Sequence, residues 1–186
     1  MPTPLEVKFY YDYKSPFTYL AMSPGYALEQ SHLVRLRFVP HELDVRGIFG
    51  GELETRPEIS WRKVRYLYLD ARRYANERGL IVRGPQKIFD SKLSLISGLF
   101  ADAQGKFRPY SDRVFESFFK RELDIENSGA LEKVLAEVGL NPSEFRSFAK
   151  NEGQDALARS FAEGEKDHVF GVPTIIIGGE PFWGIT

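Results

Sequence analysis

Val7, Phe9 and Tyr11 alternate with Lys8, Tyr10 and Asp12, the two-residue period of a strand with one apolar face. Aromatic side chains suit a pleated surface, so residues 5–12 are predicted as a strand. The period then changes. Ser15 is a good N-cap, and Pro16 fits the first helical turn, where its missing N–H costs nothing. Phe17, Leu20, Ala21 and Pro24 share one face of the helix predicted over 16–30. Alternation returns over 33–40, a second strand, and the strand–helix–strand run predicts a right-handed unit. Residues 44–51 are rich in glycine but lack the Gly-x-x-x-x-Gly-Lys-Ser/Thr pattern of a phosphate loop, and they read as a connector.

From Glu58 the apolar spacing becomes three and four. Val64, Leu67, Tyr68, Ala71, Tyr74 and Ala75 form one stripe, and Gly79 is the expected C-cap. Further helices are predicted at 91–103, 110–122, 128–138, 142–151 and 152–167. Gly139-Leu140-Asn141-Pro142 is a stop followed by a fresh start. Near the other end Pro173 opens an apolar run, Gly178-Gly179 makes a turn, and a short strand follows. That is a hairpin signal, with strands at 173–178 and 181–184.

A length of 186 residues suits one domain with room for an inserted lobe, and can bury a core without staples. A formal net charge of −1 gives no electrostatic case for nucleic acid or an anionic membrane as partner. No apolar run approaches the roughly 20 residues of a membrane helix. Met1 to Lys8 lacks a basic region followed by a long apolar stretch, so a cytoplasmic protein is expected. The chain has no cysteine. It therefore has no structural disulfide and no cysteine nucleophile, and the protein itself cannot exchange thiols and disulfides. His32, His41 and His168 are not paired at ligand spacing, and no metal site is expected.

Ser15 thus falls at a strand's carboxyl end and a helix's amino end. That place carries partial positive charge and free N–H groups, and it suits an anion such as a thiolate. The plain reading of Ser15 is a helix cap. Ser15-Pro16-Phe17-Thr18, followed far along the chain by Gly171-Val172-Pro173-Thr174, widens the choice. Together the two stretches resemble the DsbA-like branch of the thioredoxin superfamily, an α/β thioredoxin-like fold with a helical insertion lobe. Members carry Cys-x-x-Cys at the first helix start and a cis-proline loop beside it. Serine in place of the first cysteine is similar to the 2-hydroxychromene-2-carboxylate isomerases and the kappa-class glutathione transferases. The pattern Asp12, Ser15-Pro16, Tyr19-Leu20-Ala21 and the Phe182-Trp183-Gly184 segment look like the isomerase group.

The resemblance implies a thioredoxin-like domain from residues 1–56 and 151–186 around an all-helical lobe at 57–150. It implies a cis bond at Val172–Pro173 and glutathione as cofactor. Ser15 becomes the catalytic residue, with Ser15, Pro16, Phe17, Val172, Pro173 and Lys63 binding glutathione. Lys63 lies where these isomerases carry a lysine on the first inserted helix; its other reading is a solvated surface lysine. The implied substrate is an aromatic small molecule, and a homodimer is an open expectation. Two departures stand out. The family's asparagine is missing from Asp90-Ser91-Lys92-Leu93, and the Asp-Arg pair that follows Trp-Gly does not follow here. They favour an alternative, a catalytically inactive thioredoxin-like binding or scaffold protein. Phe182 and Trp183 either wall an apolar pocket or pack the hairpin onto a helix. His41 either lines the cleft or is structural.

Overall fold

In the computed structural model, which describes residues 3–184, strand β1 (Leu5–Tyr11) leads into helix α1 (Pro16–Ser31) and returns as β2 (Val34–Pro40). Then follow α2 (Val45–Phe49), α3 (Glu58–Glu77), α4 (Lys92–Ala103), α5 (Phe107–Phe119), α6 (Ser128–Glu137), α7 (Pro142–Asn151) and α8 (Gly153–Lys166). The hairpin β3 (Thr174–Ile177) and β4 (Glu180–Trp183) completes the sheet, in the order β2-β1-β3-β4. β1 and β2 are parallel, and the other two pairings are antiparallel. Phe9 sits opposite Phe38 on one side and Ile175 on the other. Every described element between Pro40 and Thr174 is a helix, and no described helix is long and apolar enough to cross a membrane. The terminal residues Met1, Pro2, Ile185 and Thr186 lie outside the described residues.

Both faces of β1 are covered, which corrects a simple reading of its alternation. Val7, Phe9 and Tyr11 join the main core with Leu36 and Phe38. There α1 approaches so closely that a Cβ on Gly25 would come 3.0 Å from the Phe9 ring, and Phe107 of α5 stacks on Phe38 at 4.2 Å. The opposite face meets α8 rather than water. Lys8 pairs with Glu163 at 2.8 Å and Asp167 at 2.7 Å, and the Tyr10 hydroxyl donates to Asp167 at 2.6 Å. Tyr10 is buried and Lys8 half-buried on this face, and both are partnered.

Glu163 is the centre of that network. It accepts from both ends of the Arg37 guanidinium and from Lys8. The Arg37 hydrogen bonds, with Lys8 behind them, pull its carboxyl from an ordinary 4.5 down to about 2 against the opposing effect of burial. A depressed carboxylate contributes stability above its unfolded pKa and loses it as pH falls through the folded value. The melting temperature of the native chain is therefore expected to drop between about pH 4.5 and pH 2, and Glu163→Gln to be less stable at pH 7 with a shallower drop. Parallel acid limbs in the two proteins would remove Glu163 from the acid response.

Local departures from the sequence reading have local causes. Residues 45–49 form a short helix rather than a plain connector, because Asp44 caps Gly47 N at 2.8 Å and Gly50 closes it in the left-handed region at φ 77°. α5 starts at Phe107 rather than at 110, since Pro109 lies in the first turn, where its N–H is not needed. Pro24 is exposed inside α1 rather than on its buried face. Its missing N–H leaves the Leu20 carbonyl without a helical donor. Arg78 supplies one, donating from Nη1 at 2.5 Å.

Candidate active site

The turn after β1 is built by Asp12. Its Oδ1 accepts from Lys14 N at 3.0 Å, and its carbonyl accepts from Ser15 N at 3.1 Å. This delivers Ser15 to the start of α1 in an extended conformation, φ −88° and ψ 115°. There Oγ accepts from Thr18 N at 3.1 Å, as an N-cap does. The same hydroxyl donates to the Val172 carbonyl at 3.1 Å. Ser15 is 2% exposed. The Val172–Pro173 bond is cis, and the Pro173 carbonyl is held by Gly184 N at 3.1 Å. Ser15, Pro16, Val172 and Pro173 are therefore brought together from opposite ends of the chain. Phe17 is half-buried and packs on the main core one residue along α1.

Asp12 also ties in two further segments. Oδ2 accepts from Leu43 N, beyond β2, at 2.7 Å, and from Ser91 Oγ, before α4, at 3.0 Å. The segment 90–93 thus reaches the turn before Ser15 through the Ser91 hydroxyl. Lys14 Nζ lies 3.6 Å from Asp12 and 3.5 Å from Glu42. Burial pushes the Asp12 carboxyl up, while Lys14 and the three hydrogen bonds pull against it.

Beside this turn opens a cavity of about 670 Å³. Lys14 and Pro16 form its edge next to Ser15, with Leu43, Phe49, Ile88, Phe89 and Phe118 among its walls. One face of α3 supplies Trp61, Val64, Arg65, Tyr68, Leu69 and Arg72, at the spacing of three and four that puts residues on one side of a helix. Six cations line the space, Lys14, Arg56, Arg65, Arg72, Lys87 and Arg121, and no Asp or Glu is among the described lining residues. Apolar walls edged with positive charge favour an anionic ligand with apolar surface. Among the described residues no cluster of three or more His, Cys, Asp or Glu could hold a metal ion.

The structure does not bring Lys63 to this cavity. It is exposed on α3, and at about 100° per residue it points roughly half a turn away from Trp61 and Arg72. Phe182 and Trp183 neither wall the cavity nor pack onto a helix. Trp183 is 61% exposed on β4, the last strand of the sheet, and touches Phe170 at 5.2 Å. His41 lies on the α8 side, against Gly164 and Tyr10, with Nδ1 buried and without a hydrogen-bond partner among the described residues. Sequence reasoning missed Arg56, Lys14 and the full reach of Asp12. The signals for Asp12 were its place in the turn before Ser15 and in the pattern that resembles the isomerase group, and Arg56 gave none.

The DSBA-like thioredoxin domain family profile matches residues 6–186. The 2-hydroxychromene-2-carboxylate isomerase of Pseudomonas putida is 29% identical over 184 residues, covering 96% of this chain and 88% of the relative. Among solved structures, a 2-hydroxychromene-2-carboxylate isomerase superposes with TM-score 0.78 at 24% identity, over 97% of this chain and 89% of its own. The cytosolic disulfide reductase DsbM of Pseudomonas aeruginosa, solved with GSH, superposes with TM-score 0.68 at 15% identity, over 96% and 88%. At these identities the two superpositions speak to the fold alone.

Proposed function

The chain belongs to the DSBA-like thioredoxin domain family, and from that membership we propose that it is a glutathione-dependent isomerase or transferase acting on an aromatic small molecule. The observation that carries the reading is the Ser15 hydroxyl, bonded to the carbonyl before Pro173 and placed between Lys14 and Pro16, which line the apolar cavity, in a chain without cysteine. The similarity to the isomerase of Pseudomonas putida supports the reaction class. Disulfide chemistry, common on this fold, needs a protein thiol that this chain lacks. A thiol must therefore arrive with the ligand.

In this reading glutathione lies along the loop before Pro173 as an added strand, pairing with the Val172 backbone. A ligand N–H that takes the Val172 carbonyl competes with Ser15 Oγ for it. The Ser15 proton then turns to the glutathione sulfur, while the oxygen keeps accepting from Thr18 N. The α1 amino terminus adds partial positive charge. Both effects favour the thiolate, the nucleophilic form. The sulfur adds to an unsaturated carbon of the substrate, and the electron pair moves onto the conjugated system. The former double bond rotates as a single bond, and the returning electron pair expels the thiolate. Glutathione is regenerated with no net gain of protons or electrons. The protein supplies a poised thiolate and proximity rather than a nucleophile.

A second reading, an inactive thioredoxin-like binding protein, is favoured by a specific feature. The one proton of the Ser15 hydroxyl is already given to the Val172 carbonyl, and one of its lone pairs to Thr18 N, within the fold. Calorimetry separates the two. Glutathione is expected to bind at millimolar concentration or below and to raise the melting temperature. No heat of binding and an unmoved melt at several millimolar would decide for the second reading.

A further inference from the structure

Arg56 stands in the segment between α2 and α3, 8% exposed and lining the cavity. Its guanidinium lies 5.0 Å from the Trp61 ring centre and 6.0 Å from that of Phe49. Its recorded polar contact is Nη2 to the Gly51 carbonyl at 3.2 Å. Nε is buried with no hydrogen-bond partner among the described residues, and no described carboxylate pairs with the group. The other lining cations differ. Lys14, Arg65 and Lys87 each have a carboxylate partner, and Arg72 and Arg121 are exposed to water. A buried charge is costly unless an anion meets it, because neither water nor a counter-ion compensates it. Arg56 is thus the one buried lining cation among the described residues without a counter-ion, and it lies on an aromatic wall.

We propose that Arg56 is the anion-binding residue of the cavity, taking the carboxylate of a flat aromatic acid whose ring lies against Trp61, Phe49 and the neighbouring apolar wall. The guanidinium is preorganised by its stacking and by Gly51, so it loses little freedom when a planar carboxylate docks. The apolar walls select a ring, and the absence of a competing lining carboxylate leaves the charge to the ligand. This rests on the part of the functional reading that makes the cavity the substrate site; it does not depend on glutathione.

The test titrates 2-naphthoate and its neutral amide, 2-naphthamide, into the native chain by calorimetry without glutathione. Naphthoate is expected to bind about tenfold or more tighter than the amide, the scale of one charge-assisted hydrogen bond. Arg56→Gln should bring naphthoate to the level of the amide and leave amide binding unchanged, and Arg56→Lys should restore part of the preference. A loosened loop in the variants would weaken both ligands, so the native chain is also read directly. In ¹⁵N-labelled protein the Arg56 Nε–H resonance should move on adding naphthoate and stay with the amide. Equal binding of acid and amide, a preference surviving in Arg56→Gln, or an unmoved Arg56 resonance at saturating naphthoate overturns the inference. Glutathione is absent throughout. Loss of glutathione binding with an Arg56-dependent naphthoate preference would remove the thiolate mechanism and keep the anion site, and the converse result would do the reverse.

Discussion

Ser15→Ala is expected to lower turnover at neutral pH by roughly tenfold to a hundredfold while costing the fold about 1–3 kcal/mol. The stability estimate is that of a lost N-cap, since the Thr18 N–H loses its acceptor, together with a Val172 carbonyl that loses its donor. Pro16 still starts the helix, and the Asp12 turn is untouched. The activity estimate is that of one charge-assisted hydrogen bond to sulfur, worth about 1.5–3 kcal/mol. Its signature is a bound glutathione thiol whose pKa rises toward the free value of about 8.5, read as thiolate absorbance against pH. Turnover should recover as pH is raised through that new pKa. A variant that stays folded and keeps full activity would reduce Ser15 to a cap.

Ser15→Cys checks the same position without a turnover assay. It places a thiol at a helix amino terminus, where the thiolate is favoured. With glutathione disulfide present, that thiolate attacks one sulfur, forms a mixed disulfide and releases one glutathione thiolate. The reaction should run faster than at an exposed control, Ser147→Cys on α7. Equal rates would mean that no glutathione site adjoins Ser15.

The parts of this molecule that were legible in the sequence are those written in local chemistry. Ser15-Pro16 marks a helix start by capping and by a fixed φ, and the two-residue period of residues 5–11 marks a strand whatever covers it. The Gly178-Gly179 turn between two apolar runs marks the hairpin in the same way. What was not legible depends on which element covers which face. Lys8, Tyr10 and Asp12 alternate with the apolar face, yet the end of α8 partners Lys8 and Tyr10, and Leu43 and Ser91 enclose Asp12. Lys63 is expected at the site from the resemblance alone, yet its helical phase turns it away from the cavity that Trp61 and Arg72 line. Arg56 sits between Thr55 and Pro57 with nothing to distinguish it. Its burial arises because Phe49 and Trp61, five or more residues away, close on either side. A short-range pattern cannot report such an enclosure.

Asp12→Ala is expected to destabilise the fold by about 3–5 kcal/mol, the largest effect of any substitution near the site. The carboxylate is fully buried and accepts three hydrogen bonds, from Lys14 N, Leu43 N and Ser91 Oγ. Alanine leaves two backbone donors and a hydroxyl unsatisfied, each at a desolvation penalty of about 1–3 kcal/mol. It also leaves the Lys14 ammonium, nearly as buried, with Glu42 alone. Asp12→Asn should be milder and still damaging. One amide oxygen can keep part of the acceptor role, but the NH₂ group must face either the Lys14 or the Leu43 N–H. Because Asp12 joins the turn before Ser15, the loop after β2 and the start of α4, the damage should reach the cavity as well as the global stability. Urea denaturation measures the first, as a lowered midpoint at unchanged slope. Naphthoate titration at low temperature, where both variants remain folded, measures the second. An Asp12→Ala midpoint near that of the native chain would mean that water replaces the carboxylate at little cost, and that Ser15 is positioned by its own cap and by Val172 rather than by the turn beneath it.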